Sequence, residues 1–225
     1  QEDILHRSGK NNWTVIRPYI TYSEIRLQLG VLEKELWLYR ALNGRTIVFS
    51  KDIAEKSTTL TYGYDVALGI ASIIGKETAF GEAFHITSDE SYTWKEILEI
   101  YLDTIEKKTG MRPKVLLLDK SPHLEWIGAK WQVILDRYYN RRFDNSKIQQ
   151  YIDTSQFVRT ESGLISCLES FLCHPQFKKM GWGIQGTYDR ITGEWAPFSE
   201  ISIIKDCISY LLHRTVVPPK SKLSI

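Results

Sequence analysis

A short apolar run near the start of the chain, Trp13 to Ile16, stops at Arg17-Pro18 and passes into the polar, aromatic segment Tyr19 to Ser23. A β-branched apolar run of this length predicts a buried strand, and the turn-prone residues after it predict a loop at the strand's carboxyl end. Open α/β sheets bind their ligands at that end. Guanidinium groups and a helix N-terminus close by would suit an anionic ligand such as a diphosphate.

Two motifs that would complete an oxidoreductase centre are missing from the sequence. It contains neither a glycine-rich dinucleotide fingerprint nor a Tyr-x-x-x-Lys pair, and Lys10 has no tyrosine four residues before it. The five histidines are scattered without a ligand spacing, so we predict no metal. We therefore expect no catalytic residue in this chain.

The elements that position this loop alternate between strand and helix over the first two thirds of the chain. Strands are predicted at 13–16, 45–50, 58–62, 83–87 and 114–118, and helices at 2–7, 24–42, 66–74, 94–108 and 121–138. Ser23 is the predicted cap of the second helix, Asp65 of the third and Thr93 of the fourth. This alternation predicts an α/β fold, followed by a mostly helical part after Phe143.

The composition gives no sign of a nucleic-acid-binding, membrane-binding or disulfide-bonded protein. The chain has 225 residues, of which 43% are hydrophobic and 25% charged, and its formal net charge is +2. A charge so close to zero gives no reason to expect nucleic acid or a membrane as partner. The odd number of cysteines, 3, and the lack of a signal peptide predict reduced thiols and a cytoplasmic location.

Four segments in the same order resemble the extended short-chain dehydrogenases/reductases, in the nucleotide-sugar epimerase/dehydratase group. They are the strand-end segment from Arg17 to Ser23, Asp65-Val66-Ala67, the strand from Gly81 to Thr87, and Phe143-Asp144-Asn145-Ser146-Lys147. The resemblance covers about residues 1–150. It implies that 1–150 form the end of a Rossmann-like domain with the substrate-binding region, that 151–225 form a helical extension, and that the N-terminal dinucleotide-binding half is absent.

The resemblance also implies a cofactor and its contacts. NAD or NADP would bind the complete protein, with Pro18, Tyr19, Ile20 and Thr21 against the nicotinamide, and neither would bind this chain alone. The family's catalytic tyrosine and lysine would lie upstream of residue 1. The alternative for Tyr19 to Thr21 is a loop that merely covers the sheet.

The substrate implied by the resemblance is a nucleoside-diphosphate sugar. Its sugar would lie near Thr21 and Tyr22, its diphosphate near Arg26 or Lys56, and its base near Val48 and Phe49. Thr58 stands where the family has a diphosphate-binding arginine, and the family's asparagine near residue 20 is missing. A plain core strand at 48–49 and ordinary surface charges at Arg26 and Lys56 are the alternatives. A homodimer is left open, and so is a nonenzymatic binding or scaffold protein that kept the fold.

Overall fold

The computed structural model describes residues 2–121 and 128–216, and it shows a mixed α/β fold. Helix α1 (Glu2–Arg7) leads into strand β1 (Thr14–Arg17), which pairs in parallel with β6 (Glu82–His85) so that Arg17 lies beside His85. Within the described ranges β1 has this one strand neighbour. The predicted strands at 13–16 and 83–87 are confirmed with small changes of boundary.

The described ranges contain three further strand pairs. Strand β2 (Ile20–Tyr22) runs parallel to β5 (Leu60–Tyr62), and β3 (Ile47–Ser50) runs parallel to β8 (Val115–Leu118). Strands β4 (Ser57–Thr58) and β7 (Tyr92–Thr93) pair antiparallel. All four residues of β3 are buried, as expected for a parallel strand that is covered on both faces.

The helices cover these strands. They are α2 (Lys34–Leu42), α3 (Lys51–Ala54), α4 (Gly63–Ile73) and α5 (Trp94–Thr109). Helix α5 begins with the predicted capping box: the Thr93 side chain accepts from the Glu96 N–H, and the Glu96 carboxylate accepts from the Thr93 N–H. It ends at Gly110, which has a left-handed φ of 76°. The predicted helix at 121–138 begins in residues outside the described ranges; a short helix α6 (Lys130–Gln132) and a π-helical segment (Val133–Arg137) form its remaining part.

The C-terminal part packs onto the same core. Helix α7 (Thr160–Cys173) packs against α5, and α8 (Trp182–Thr192) packs against α9 (Ile204–Leu211). The main hydrophobic core runs from Ile20 to Tyr188 and joins both parts of the chain. Gly186 in α8 lies so close to α9 that an added Cβ would stand 2.4 Å from the Tyr210 carbonyl oxygen, so only glycine fits this crossing.

A buried ionic network attaches α8 and α9 to α2. The Arg40 guanidinium is fully buried and donates to Asp189 Oδ1 at 2.6 Å and to Gln185 Oε1 at 3.0 Å. The other carboxylate oxygen of Asp189 accepts from Arg45 at 3.4 Å and from the Tyr210 hydroxyl at 2.7 Å. Because each buried charge has charged or hydrogen-bonding partners, the network can exist inside the fold.

Two predictions about helix starts are wrong. The predicted helix at 24–42 begins only at Lys34, with Glu33 as N-cap, so Ser23 caps no helix and Arg26 lies in no helix. Two tight turns precede it, closed by reciprocal backbone hydrogen bonds between Ser23 and Arg26 and between Leu29 and Leu32. Gly30, with φ of 60°, gives the second turn a conformation that a side chain would oppose.

The second correction concerns Asp65, which does not cap its helix. Helix α4 starts at Gly63 with Tyr62 as N-cap, and Asp65 sits inside the first turn. Its carboxylate accepts from the Val158 N–H at 2.9 Å, and burial raises its pKa. Asp65 therefore links the start of α4 to the segment at Val158, just before α7. Between the predicted strands at 45–50 and 58–62 the chain also forms the short helix α3, for which no helix was predicted.

No helix among the described residues combines the length and the hydropathy needed to cross a bilayer.

Candidate functional site at the carboxyl end of β1

The chain makes an unusual turn where β1 ends. After Arg17 and Pro18, Tyr19 adopts a φ of 53°, and no other non-glycine residue in the described ranges has a positive φ. A bulky residue in the left-handed region is strained by about 1–3 kcal/mol and persists only where its surroundings fix it. The turn redirects the chain into β2, so the backbone at residues 18–19 is presented at the carboxyl edge of β1.

The Tyr19 side chain is fixed from a distant part of the sequence. Its hydroxyl donates to Asp136 Oδ1 at 2.8 Å, and its ring lies 4.6 Å from the Phe143 ring, centroid to centroid. Asp136 also accepts from Arg141 Nε at 2.9 Å and from Arg137. We call Tyr19, Asp136, Arg137 and Arg141 the Asp136 cluster.

Arg137 joins this cluster to the core. It is buried, its Nε donates to the Gly30 carbonyl at 3.0 Å, and its guanidinium lies 5.6 Å from the Trp94 ring centroid. Burial lowers its pKa. Arg141 donates its backbone N–H to the Ser57 carbonyl at 2.9 Å and keeps a partly exposed side chain. The cluster thus brings cationic groups beside the β1 loop, which sequence reasoning did not find.

Strand β2 presents its predicted residues on two faces. Ile20 and Tyr22 are buried, whereas Thr21 faces the other way and is half-buried, next to Thr61 of β5. Within the described ranges the Tyr22 hydroxyl has no hydrogen-bond partner, and it faces Gly163 of α7, where an added Cβ would stand 2.0 Å away. Burial raises the pKa of Tyr22. Of these three side chains, Thr21 is the one open to a ligand.

The predicted diphosphate contacts differ in exposure. Arg26 is exposed and lies 3.5 Å from a Glu33 oxygen, in a weak surface pair. Lys56 is half-buried, and its backbone carbonyl accepts from the Trp94 N–H at 3.0 Å. Thr58 is buried, and its hydroxyl finds no hydrogen-bond partner in the part of the chain that the structure describes. Arg26, in its weak pair with Glu33, and half-buried Lys56 therefore carry positive charge, whereas Thr58 carries none.

Val48 and Phe49, the predicted base contacts, lie in the hydrophobic core. Their strand pairs with Leu116 and Leu117 of β8, and the Phe49 ring fills the space beside Gly30, at 2.8 Å from where a Cβ would be. This burial favours the core-strand interpretation of their side chains.

The Phe143-to-Lys147 segment fastens itself to the end of β6. Buried Asn145 accepts from the Thr87 N–H and hydroxyl, and its amide donates to the Thr87 carbonyl at 2.7 Å and to Asp89 Oδ1 at 2.7 Å. Phe143 then reaches both Tyr19 and His85, whose ring centroid is 5.0 Å from its own. The motif thus builds one wall of the site at the ends of β1 and β6.

These groups can bind and orient a ligand. Thr21 offers a hydroxyl, the Pro18–Tyr19 step offers backbone, and Arg26, Lys56 and Arg141 offer positive charge. The described ranges contain no group of three or more metal-ligating side chains. A separate groove of about 530 Å³ lies along α5, lined by residues such as Glu99, Asp103 and Glu161, and it contains none of the predicted site residues.

The chain is similar to solved structures of nucleotide-sugar enzymes. A UDP-glucuronic acid 4-epimerase from Bacillus cereus, in complex with UDP-glucuronic acid and NAD, matches with a TM-score of 0.56 and 17% identity, over 76% of this chain and 49% of that one. A dTDP-glucose 4,6-dehydratase from Streptomyces venezuelae matches with 0.54 and 16%, over 77% and 48%. A UDP-glucose 4-epimerase from Thermotoga maritima matches with 0.52 and 18%, over 78% and 52%. No family model and no curated protein sequence matches the chain.

At sequence identities this low, the structural similarity shows a shared fold and nothing finer. The chain spans about half the length of these structures. These structures are NAD-dependent nucleotide-sugar epimerases and dehydratases with the extended short-chain dehydrogenase/reductase fold. The four sequence motifs resemble the same family.

Proposed function

We propose that this chain is the substrate-binding portion of an NAD(P)-dependent epimerase or dehydratase that acts on a nucleoside-diphosphate sugar. The observation that carries the proposal is the strained turn at Pro18–Tyr19, held at the carboxyl end of β1 by the Asp136 cluster. Asp136, 117 residues along the chain, fixes this turn through its hydrogen bond with Tyr19. The turn therefore offers a ligand a rigid surface at the edge of the sheet where α/β folds bind ligands.

The residues present fit one end of the dinucleotide. The Pro18-to-Thr21 segment supplies a fixed backbone edge and an open hydroxyl against which a nicotinamide ring could lie. A glycine-rich turn for the pyrophosphate is not in the sequence, so a further part of the complete protein would have to supply it. The bound nicotinamide would exchange a hydride with the sugar.

The role of this chain's own residues is to hold the sugar nucleotide. Thr21 would hydrogen-bond the sugar, and Arg26 and Lys56 would pair with the diphosphate, because guanidinium and ammonium groups make charge-assisted hydrogen bonds to phosphate oxygens. We add Arg141 as a third candidate, since its guanidinium already lies beside the Tyr19 loop. General acid–base catalysis would come from a Tyr-x-x-x-Lys pair upstream of residue 1.

Turnover tests this proposal. The complete protein, loaded with NAD or NADP, is incubated with a panel of UDP- and dTDP-sugars, and the products are separated by chromatography and identified by NMR. We expect one or a few sugars to be epimerised or dehydrated. Failure with every sugar, by a protein that binds the dinucleotide, would contradict the proposal.

One observation favours a nonenzymatic binding or scaffold protein as the second candidate. The family's diphosphate arginine is replaced by Thr58, whose buried hydroxyl makes no hydrogen bond to the residues described. A complete sequence without Tyr-x-x-x-Lys upstream would select this second function, and its presence would select the enzyme.

A further inference from the structure

An exposed apolar face runs along the segment that carries Asp136. It consists of Trp131, Leu135 and Tyr139, whose side chains are 66%, 60% and 55% exposed. Trp131 lies in the short helix that begins at Lys130, and Leu135 lies in the π-helical segment that continues it to Arg137. Tyr139 follows two residues after that segment ends. We call them the Trp131 face.

The polarity of this segment is the reverse of an ordinary surface helix. Ala129, Val133 and Arg137 point inward and are buried, so the inner side contains a charged residue while the outer side is apolar and aromatic. Folding of the described chain buries none of the outer three to a comparable degree. The Trp131 face is therefore available to a partner.

The charge around this face is positive. Lys130 Nζ lies 5.3 Å from the Trp131 ring centroid, the Arg141 guanidinium lies 5.2 Å from that of Tyr139, and Arg142 is exposed. The acidic residue of the segment, Asp136, is already engaged by Tyr19, Arg137 and Arg141. The face thus combines interfacial aromatic side chains with cations at both ends.

We propose that the Trp131 face docks onto an anionic lipid surface. Tryptophan and tyrosine favour the boundary between headgroups and acyl chains, and flanking lysine and arginine side chains pair with lipid phosphates. A second copy of this chain fits less well, because a two-fold antiparallel contact would set Lys130 against the other copy's Arg141. The near-zero net charge of the whole chain predicted no membrane partner. That value does not exclude a local excess of positive charge, and Lys130 and Arg141 provide one at this face.

The test uses the complete protein and sedimentation with vesicles. One set is pure phosphatidylcholine and the other contains a minority of phosphatidylglycerol. We expect binding to the anionic set only, weakened by salt. Lys130→Glu and Arg142→Glu should each reduce the partition coefficient about fivefold or more, and Trp131→Ser with Leu135→Ser should reduce it at least as much.

The matched control is Trp195→Ser, which removes an exposed tryptophan that also lies under an arginine, 4.4 Å from Arg214, but on another part of the surface. It should leave vesicle binding unchanged, and circular dichroism should show each variant folded. Absence of binding, equal binding to both vesicle sets, or binding unaffected by the Trp131-face changes would overturn the proposal. So would a dimer in native mass spectrometry that dissociates with Leu135→Ser while vesicles do not bind.

Discussion

At the scale of single residues, Tyr19 and its partners show how a local strain is maintained. The left-handed backbone of Tyr19 is unfavourable by itself, and the hydroxyl contact to Asp136 and the packing against Phe143 fix it. The residues that do this are 117 and 124 positions away, which no local pattern in the sequence could reveal.

Charge reversal at two residues tests the predicted diphosphate contacts. In the complete protein, Arg26→Glu and Lys56→Glu should each weaken nucleotide-sugar binding by about 1–3 kcal/mol, the scale of charge-assisted hydrogen bonds. Titration calorimetry measures the change. Lys107→Glu, an exposed lysine on α5, is the control and should have no effect. If neither reversal alters affinity while the fold is intact, the diphosphate lies elsewhere.

The thiol of Cys167 gives a second residue-scale prediction. Burial raises its pKa to about 12, whereas an unperturbed cysteine ionises near pH 8.5. The folded state therefore keeps a proton that the unfolded state loses, so this group lowers stability as the pH rises above about 8.5. A thiol reagent at pH 8 should modify exposed Cys173 quickly and Cys167 only on unfolding, as peptide mass spectrometry would show. Equal labelling rates would refute the burial.

At the scale of elements, the sequence predicted those whose signals are local. The capping box at Thr93 and the glycine after α5 fixed both ends of that helix, and alternating strands and helices gave the α/β class. The helix at 24–42 was predicted wrongly because Leu29 and Leu32 have helical spacing, although they face each other across a tight turn. Gly30, between these two leucines, was the residue in the sequence that indicated a turn. Arg137 and Arg141, which bring positive charge to the site, were not predicted, because no local pattern places them beside the β1 loop.

The attachment of α8 and α9 to α2 yields an element-scale prediction. Arg40→Ala should destabilise the protein by about 3–5 kcal/mol, because it leaves the buried Asp189 short of a charged partner. Arg112→Ala should cost less than about 1 kcal/mol, although Arg112 contacts three carboxylates, because those pairs are exposed. Urea unfolding of both variants makes the comparison. Similar losses of stability in the Arg40→Ala and Arg112→Ala variants would contradict the conclusion that the buried ionic network attaches α8 and α9 to α2.

At the scale of the whole molecule, the described chain leaves one side of β1 without a strand neighbour. An unpaired strand edge favours association, because its free N–H and C=O groups can pair with another chain. Expressed alone, this chain should aggregate or fold loosely, and calorimetry should find no micromolar affinity for NAD or NADP. A monomer that unfolds sharply and reversibly, or that binds the dinucleotide, would argue that the pocket is complete without a further part.

We propose that the turn after β1 lies between the nicotinamide and the sugar. A crystal structure of the complete protein with NAD and an unreactive nucleoside-diphosphate sugar tests it most directly. We expect the nicotinamide against Pro18 to Thr21, the sugar within hydrogen-bond distance of the Thr21 hydroxyl, and the diphosphate near Arg26, Lys56 or Arg141. A dinucleotide or sugar bound away from the carboxyl end of β1 would contradict it.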